Sequence, residues 1–321
     1  MLKKIASSLV FIALVAASTL YGQRAVDIVL AQTFEPSAQV STINQRLKLT
    51  SEGTTLLYAS HAAIENSQEF NQSCQSNQRT AAILGCYDKK QIYLFNITNP
   101  DLDGATEVTA AHEMLHAAYD RLNFFERRHV NQLIENEYEN LKKDPVIAEE
   151  IAYYQKAEPG AEINELHSII GTTVSSVSPE LESYYKRYFT DRSSIISLNN
   201  SYNAVFVEAT KRAEQLQIEI NQQESVLKIQ LSSYDSDRKQ LDVDIQAFND
   251  RASSQGFLSQ SSFNTARLAL TARVSAMNDR RAEINASVDS YNNKIAELTK
   301  LSVKVNEINK SLNGVEAPSG V

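Results

Sequence analysis

The sequence predicts an α+β domain followed by a long antiparallel α-helical coiled-coil hairpin. Three observations carry that expectation. Only 9 Gly and 6 Pro punctuate 321 residues, so long uninterrupted elements are favoured, and those are helices. Between Thr54 and Phe189 short apolar runs of strand character alternate with amphipathic stretches. Beyond Tyr202 apolar residues recur at alternating steps of four and three as far as Leu312.

At the N-terminus Lys3-Lys4 precede an uncharged run, Ile5 to Gly22, near the lower limit for spanning a bilayer. Positive charge before it puts the rest of the chain outside the cytoplasm. Residues 1–24 read as a signal anchor, giving an extracytoplasmic protein held to the membrane by one N-terminal helix. A cleaved signal peptide, using the small residues at Val15-Ala16-Ala17, gives a secreted or periplasmic one. Residues 25–53 read as a polar linker. TTLLYAS, Thr54 to Ser60, reads as a strand, and HAAIENSQEFNQS as a short helix capped by Ser60. TAAILGCY and QIYLFNI have strand composition, and Asp88-Lys89-Lys90 between them suggests a hairpin. Helices follow at about 105–122, 126–142 and 163–172. Another starts at Pro179 with Ser178 as its cap. The domain is expected over 54–190, the hairpin over 191–313 and a tail over 314–321.

In the hairpin, Leu216, Ile220, Leu227, Leu231, Leu241, Val274, Ile284 and Ile295 stand among the seam positions. Gly256, in SSQGFLSQSS, is the only Gly between Gly171 and Gly314 and marks the turn. Arms of about 50 residues reach on the order of 75 Å. Gln223, Arg238, Arg281 and Ser302 interrupt the seam and fix its register.

The formal net charge of −8 and a pI near 5.3 exclude a phosphate-binding surface, so nucleic acid is not an expected partner. Cys74 and Cys86 are the only cysteines, and an exported pair this close is expected to form one disulfide. Two cysteines alone cannot make a four-ligand structural zinc site.

The chemistry is concentrated in AAHEMLHAAYDRL, Ala110 to Leu122. On a helix, His112 and His116 are one turn apart and present two imidazoles to one cation. Glu113 lies one residue round, placed to take a proton from the attacking water and return it to the leaving amine. Two imidazoles and a carboxylate suit Zn²⁺, which keeps an open position in catalytic sites. No histidine follows at short spacing. His129 falls in the charged run FERRHVNQ and reads as a surface residue.

NELHSIIGT, Asn164 to Thr172, offers the third ligand. Here the chain resembles the gluzincins, the thermolysin-like zinc peptidases, whose third ligand is the Glu of Asn-Glu-x-x-Ser/Ala-Asp on a downstream helix. The match runs through Ser168 and carries the ligand role onto Glu165, with His167 as the alternative. The final Asp of the pattern is Ile169 here, so a partner for a zinc-bound His has to come from elsewhere. The longer strings also resemble uncharacterised bacterial predicted exported metallopeptidases. The resemblance covers about Leu56 to Phe189 and implies a zincin-like catalytic domain with Zn²⁺ as cofactor.

QIYLFNI is expected as the edge strand that pairs with an extended substrate, or else as a core strand. An oxyanion donor is expected among Tyr153, Tyr154, Tyr184, Tyr185 and Tyr188. The expected activity is that of a zinc metallopeptidase acting on peptide or protein. Two alternatives stand beside it. One is an envelope scaffold or adhesion protein with a structural or vestigial zinc site. The other is a hydrolase of the peptide or amide bonds of peptidoglycan. Self-association or a protein partner through the coiled coil is compatible with each.

Overall fold

The computed structural model describes residues 22–74, 84–143, 147–148, 151–152 and 160–312. It divides into two compact units, one ending at Phe206 and resuming at Glu307, the other Val207–Asn306. Among the described residues helices dominate, with one small three-stranded sheet.

The first unit starts earlier than expected. Residues 22–33 form helix α1, followed by α2 (Ala38–Arg46) and α3 (Ser51–Ala59). Ser37 caps α2 by accepting from the Val40 N–H, and Thr50 caps α3 by accepting from Gly53. Val40, Ile43 and Leu47 are buried in the main core, so the linker expected over 25–53 is corrected. The polar residues there cover a helix whose apolar stripe recurs at three- and four-residue steps. The strand expected at Thr54–Ser60 is also helical. Thr54 Oγ1 donates to Asn44 Oδ1 and Thr55 Oγ1 to the Ser51 carbonyl, while Leu56 and Leu57 enter the core.

The helix expected after Ser60 is replaced by strand β1 (Ala63–Glu65) and helix α4 (Ser67–Ser73). Asn66, not Ser60, caps α4, in a reciprocal box with Glu69. β2 (Gly85–Asp88) and β3 (Gln91–Phe95) form the expected antiparallel hairpin. Lys89 and Lys90 turn it at positive φ, 48° and 69°. The sheet order is β1-β3-β2, with β1 parallel to β3. β3 is therefore central, so of the two places expected for QIYLFNI it takes that of a core strand and not that of a substrate-pairing edge. The edges on either side of it are β1 and β2. Cys86 on β2 is bonded to Cys74 at the end of α4, as the cysteine spacing suggests.

α5 (Ala105–Asp120) carries the HExxH stretch. α6 (Phe124–Leu141), α7 (Glu162–Thr173) and α8 (Pro179–Tyr185) follow. Residues 153–159 lie outside the described residues. Ser178 makes no side-chain capping bond; its backbone N–H donates to Glu137 Oε2 instead. α5 and α7 pack closely because Gly171 has no side chain. A Cβ there would stand 2.4 Å from Leu115 Cδ1.

Among the described residues no helix is long and apolar enough to cross a membrane. The membrane-anchored localisation expected from the N-terminal run is corrected accordingly. The run, except Gly22, lies outside the described residues. α1 carries Arg24 and Asp27, and buried Asp27 pairs with Arg121 Nε at 3.0 Å, so this helix packs on protein.

α9 (Ser193–Ser253) and α10 (Gln260–Leu312) are the two long helices. Within the first unit, Tyr202, Val205 and Phe206 of α9 and Ile308 and Leu312 of α10 close on Leu102 and Ala105. That apolar contact moves the boundary expected at residue 190 to Phe206. In the second unit the arms run antiparallel. Arg212 pairs with Glu297, Glu219 with Lys294, Asp237 with Arg280 and Asp244 with Arg273. Gln223 Nε2 donates across the seam to the Ser287 carbonyl. Leu216, Ile220, Leu227, Leu241 and Ile284 are buried, whereas Leu231, Val274 and Ile295 are exposed. Two arms cover only a narrow stripe of each other, so part of the expected seam faces water. Residues 207–306 alone should give a strongly helical circular dichroism spectrum with cooperative melting, since their charge pairs and seam are internal. A random-coil spectrum would contradict this.

Candidate metal centre

α5 is held at both ends. Near its start, Arg46 of α2 bonds to Asp103 at 2.8 Å and to buried Glu107 at 2.6 Å. Beyond its end, Arg121 bonds to Asp27, the Tyr87 hydroxyl, Ser60 and the Ala117 carbonyl. The helix between is buried along most of its length, and it presents His112 and His116 toward α7.

His112 Nε2 and His116 Nε2 are 3.0 Å apart. Glu165 Oε2 lies 3.6 Å from His112 Nε2, and Oε1 lies 3.5 Å from His116 Nε2. The three side chains bring their ligand atoms within 4.8 Å of one another. For bonds near the lengths zinc makes to nitrogen and oxygen, the edge of a tetrahedron is about 3.3 Å. The His112–His116 separation falls within a few tenths of an ångström of that edge, and each carboxylate oxygen of Glu165 lies at a similar distance from one of the two imidazoles. The donor set also has the right chemistry, with two imidazole nitrogens and one carboxylate. The residues fit a zinc ion.

Electrostatics favour the same use. Burial pushes the His112 and His116 imidazoles down to about 4, so both are neutral at pH 7 with a lone pair to offer. Burial pushes the Glu165 carboxyl up, opposed by His116. A cation between them would relieve that cost.

The partner that Ile169 cannot supply comes from α7 itself. Ser168 Oγ lies 3.3 Å from His116 Nδ1. The Asn164 side chain also acts on His116, raising its pKa, and its buried Oδ1 has no partner at ordinary hydrogen-bond geometry. Both residues belong to the NELHS string.

His167 faces elsewhere. Its Nε2 meets the Tyr184 hydroxyl at 2.9 Å, and its ring lies among Tyr119, Tyr184 and Tyr185. Tyr185 donates to the His167 carbonyl, and Tyr188 bonds to Tyr184. Tyr184, Tyr185 and Tyr188 are thus packed in the core. Tyr153 and Tyr154 lie outside the described residues. His129 is exposed, 3.8 Å from Glu180. Glu113 is buried and outside the ligand cluster, on the side of α5 that faces Gly85 of β2. Sequence reasoning missed Gly85, and a glycine at a strand start is the only signal it left.

Comparison with protein families, with curated proteins and with solved structures returns no match.

The buried histidines make a pH prediction for the metal-free protein. Burial holds His167 down to about 3, and His112 and His116 at about 4, against about 6.5 in an unfolded chain. Between those values the unfolded chain binds protons that the folded one refuses, so stability falls as pH falls from about 6.5 toward 4. Thermal unfolding of chelator-treated protein should show a lower midpoint at pH 5 than at pH 7. An unchanged midpoint would contradict neutral burial.

Proposed function

We infer that this chain is a zinc metallopeptidase whose catalytic unit is zincin-like and of gluzincin type. The observation that carries the reading is the clustered donor set of His112, His116 and Glu165, with Glu113 next to it in sequence and outside it. A zinc ion held by His112, His116 and Glu165 would acidify a water and polarise the scissile carbonyl. Glu113 takes the proton of the attacking water and passes it to the leaving amine. Ser168 and Asn164 orient His116, and Arg46 and Arg121 keep α5 in place while the proton moves. β2 has no second neighbour among the described residues, which suits it to pair with an extended peptide.

The test begins with the metal. Chelator-treated full chain, titrated with zinc, should take up one ion and gain hydrolysis of an unfolded polypeptide in proportion. Running the assay also on cell-wall peptides separates the two substrate classes. Uptake of zinc with no hydrolysis of either would reduce the centre to a structural site.

A further inference from the structure

β2 opens with Gly85 and Cys86, and the hydrolytic step above uses neither. A Cβ on Gly85 would stand 2.5 Å from Thr109 Cγ2, 3.0 Å from Glu113 Cγ and 3.2 Å from Glu113 Oε1. The first distance is a clash and the other two are tighter than ordinary contact, so only glycine lets the strand lie this close to the helix. The next residue is covalently fixed. Cys86 is joined to Cys74, with 6.0 Å between their Cα atoms. At its other end β2 is restrained by Tyr87, whose hydroxyl donates to Asp120 and accepts from Arg121. The ladder to β3 runs from Gly85 opposite Leu94 to Asp88 opposite Gln91.

Resting on the peptidase reading, we propose that Gly85 is a positioning residue for Glu113, locked by the Cys74–Cys86 bridge, so that hydrolysis is thiol-sensitive. A base works only when held at a set distance from the proton it takes. The strand backbone at Gly85 is the wall against which the Glu113 side chain rests, and the bridge one residue on fixes that wall to α4. Reduction releases it. Each sulfur of the bridge takes one electron and one proton from a dithiol donor, whose own two sulfurs join as a disulfide. Reoxidation reverses the exchange.

The test uses zinc-loaded full chain. Gly85→Ala should lower kcat roughly 100-fold, with KM and zinc content near wild type. Adding Thr109→Ser removes the methyl nearest the new Cβ and should restore part of kcat. A merely structural role would lower zinc content with the rate and would not be rescued. Reducing the wild type with a phosphine, which offers zinc no thiolate, should lower kcat reversibly with the metal retained. Cys74→Ser/Cys86→Ser should be slow throughout and indifferent to the phosphine. Full activity in Gly85→Ala, or in the reduced wild type, would overturn the proposal. A thermal-unfolding cycle separates its failure from that of the peptidase reading. Gly85→Ala should lower the midpoint less in a Glu113→Ala background than in wild type. That coupling in a chain that cuts no peptide would sink the peptidase and support the contact. Additive midpoints in an active chain would overturn the positioning role.

Discussion

Glu113→Gln is expected to abolish measurable hydrolysis, a fall of about 10²–10⁴-fold, while the protein keeps one zinc per chain. The amide is close to the carboxylate in size, so the packing against Gly85 changes little. What is lost is the ability to accept the water's proton. Glu113 stands outside the ligand cluster, so metal content should not follow activity down. Kinetics alongside metal analysis on the same preparation decides it. Residual activity near wild type would mean another group carries the proton, and a zinc-free mutant would make Glu113 a ligand.

Glu165→Ala should remove zinc and activity together. The loss of affinity should exceed the ~10–100-fold expected when only an outer partner of a ligand is removed. Two imidazoles 3.0 Å apart would remain, without the carboxylate that closes the set. His167→Ala is the matched comparison, two residues along α7. It should leave zinc in place and slow turnover modestly at most. It removes a ring packed among three tyrosines, so stability should drop by about 3 kcal/mol. Swapped outcomes, with His167→Ala emptying the site, would replace the present ligand set by three histidines.

The clustering of His112, His116 and Glu165 was more legible in the sequence than the fold around it. The reason is periodicity. His112 and His116 are one turn apart, and Glu165 and His167 are about 200° apart on their helix, so one facing the imidazoles turns the other away. Those relations hold wherever the helices lie. The long arms were legible for the same reason, since a heptad repeat is a local property. The elements of residues 25–73 were misread because short segments carry little periodic signal. Thr54-Thr55 has strand propensity, yet the Thr50 cap and the burial of Leu56 and Leu57 made a helix there. Whether β3 lay at an edge or in the centre stayed open because strand order is a tertiary property. β1, its parallel neighbour, is only three residues long. The Asp27–Arg121 pair joins residues far apart in sequence, and neither has a local pattern to betray it. Gly85 was missed because its importance lies in the helix that crosses it.

The most direct measurement is cleavage of a mixed peptide library by the full chain, zinc-loaded and chelator-stripped, read by mass spectrometry of the new termini. New termini should appear with zinc, vanish with the chelator, return on adding zinc back, and be absent for zinc-loaded Glu113→Gln. Cleavage that persists without metal, or a zinc-loaded chain that cuts nothing, would contradict the assignment of His112, His116, Glu165 and Glu113 to a hydrolytic centre.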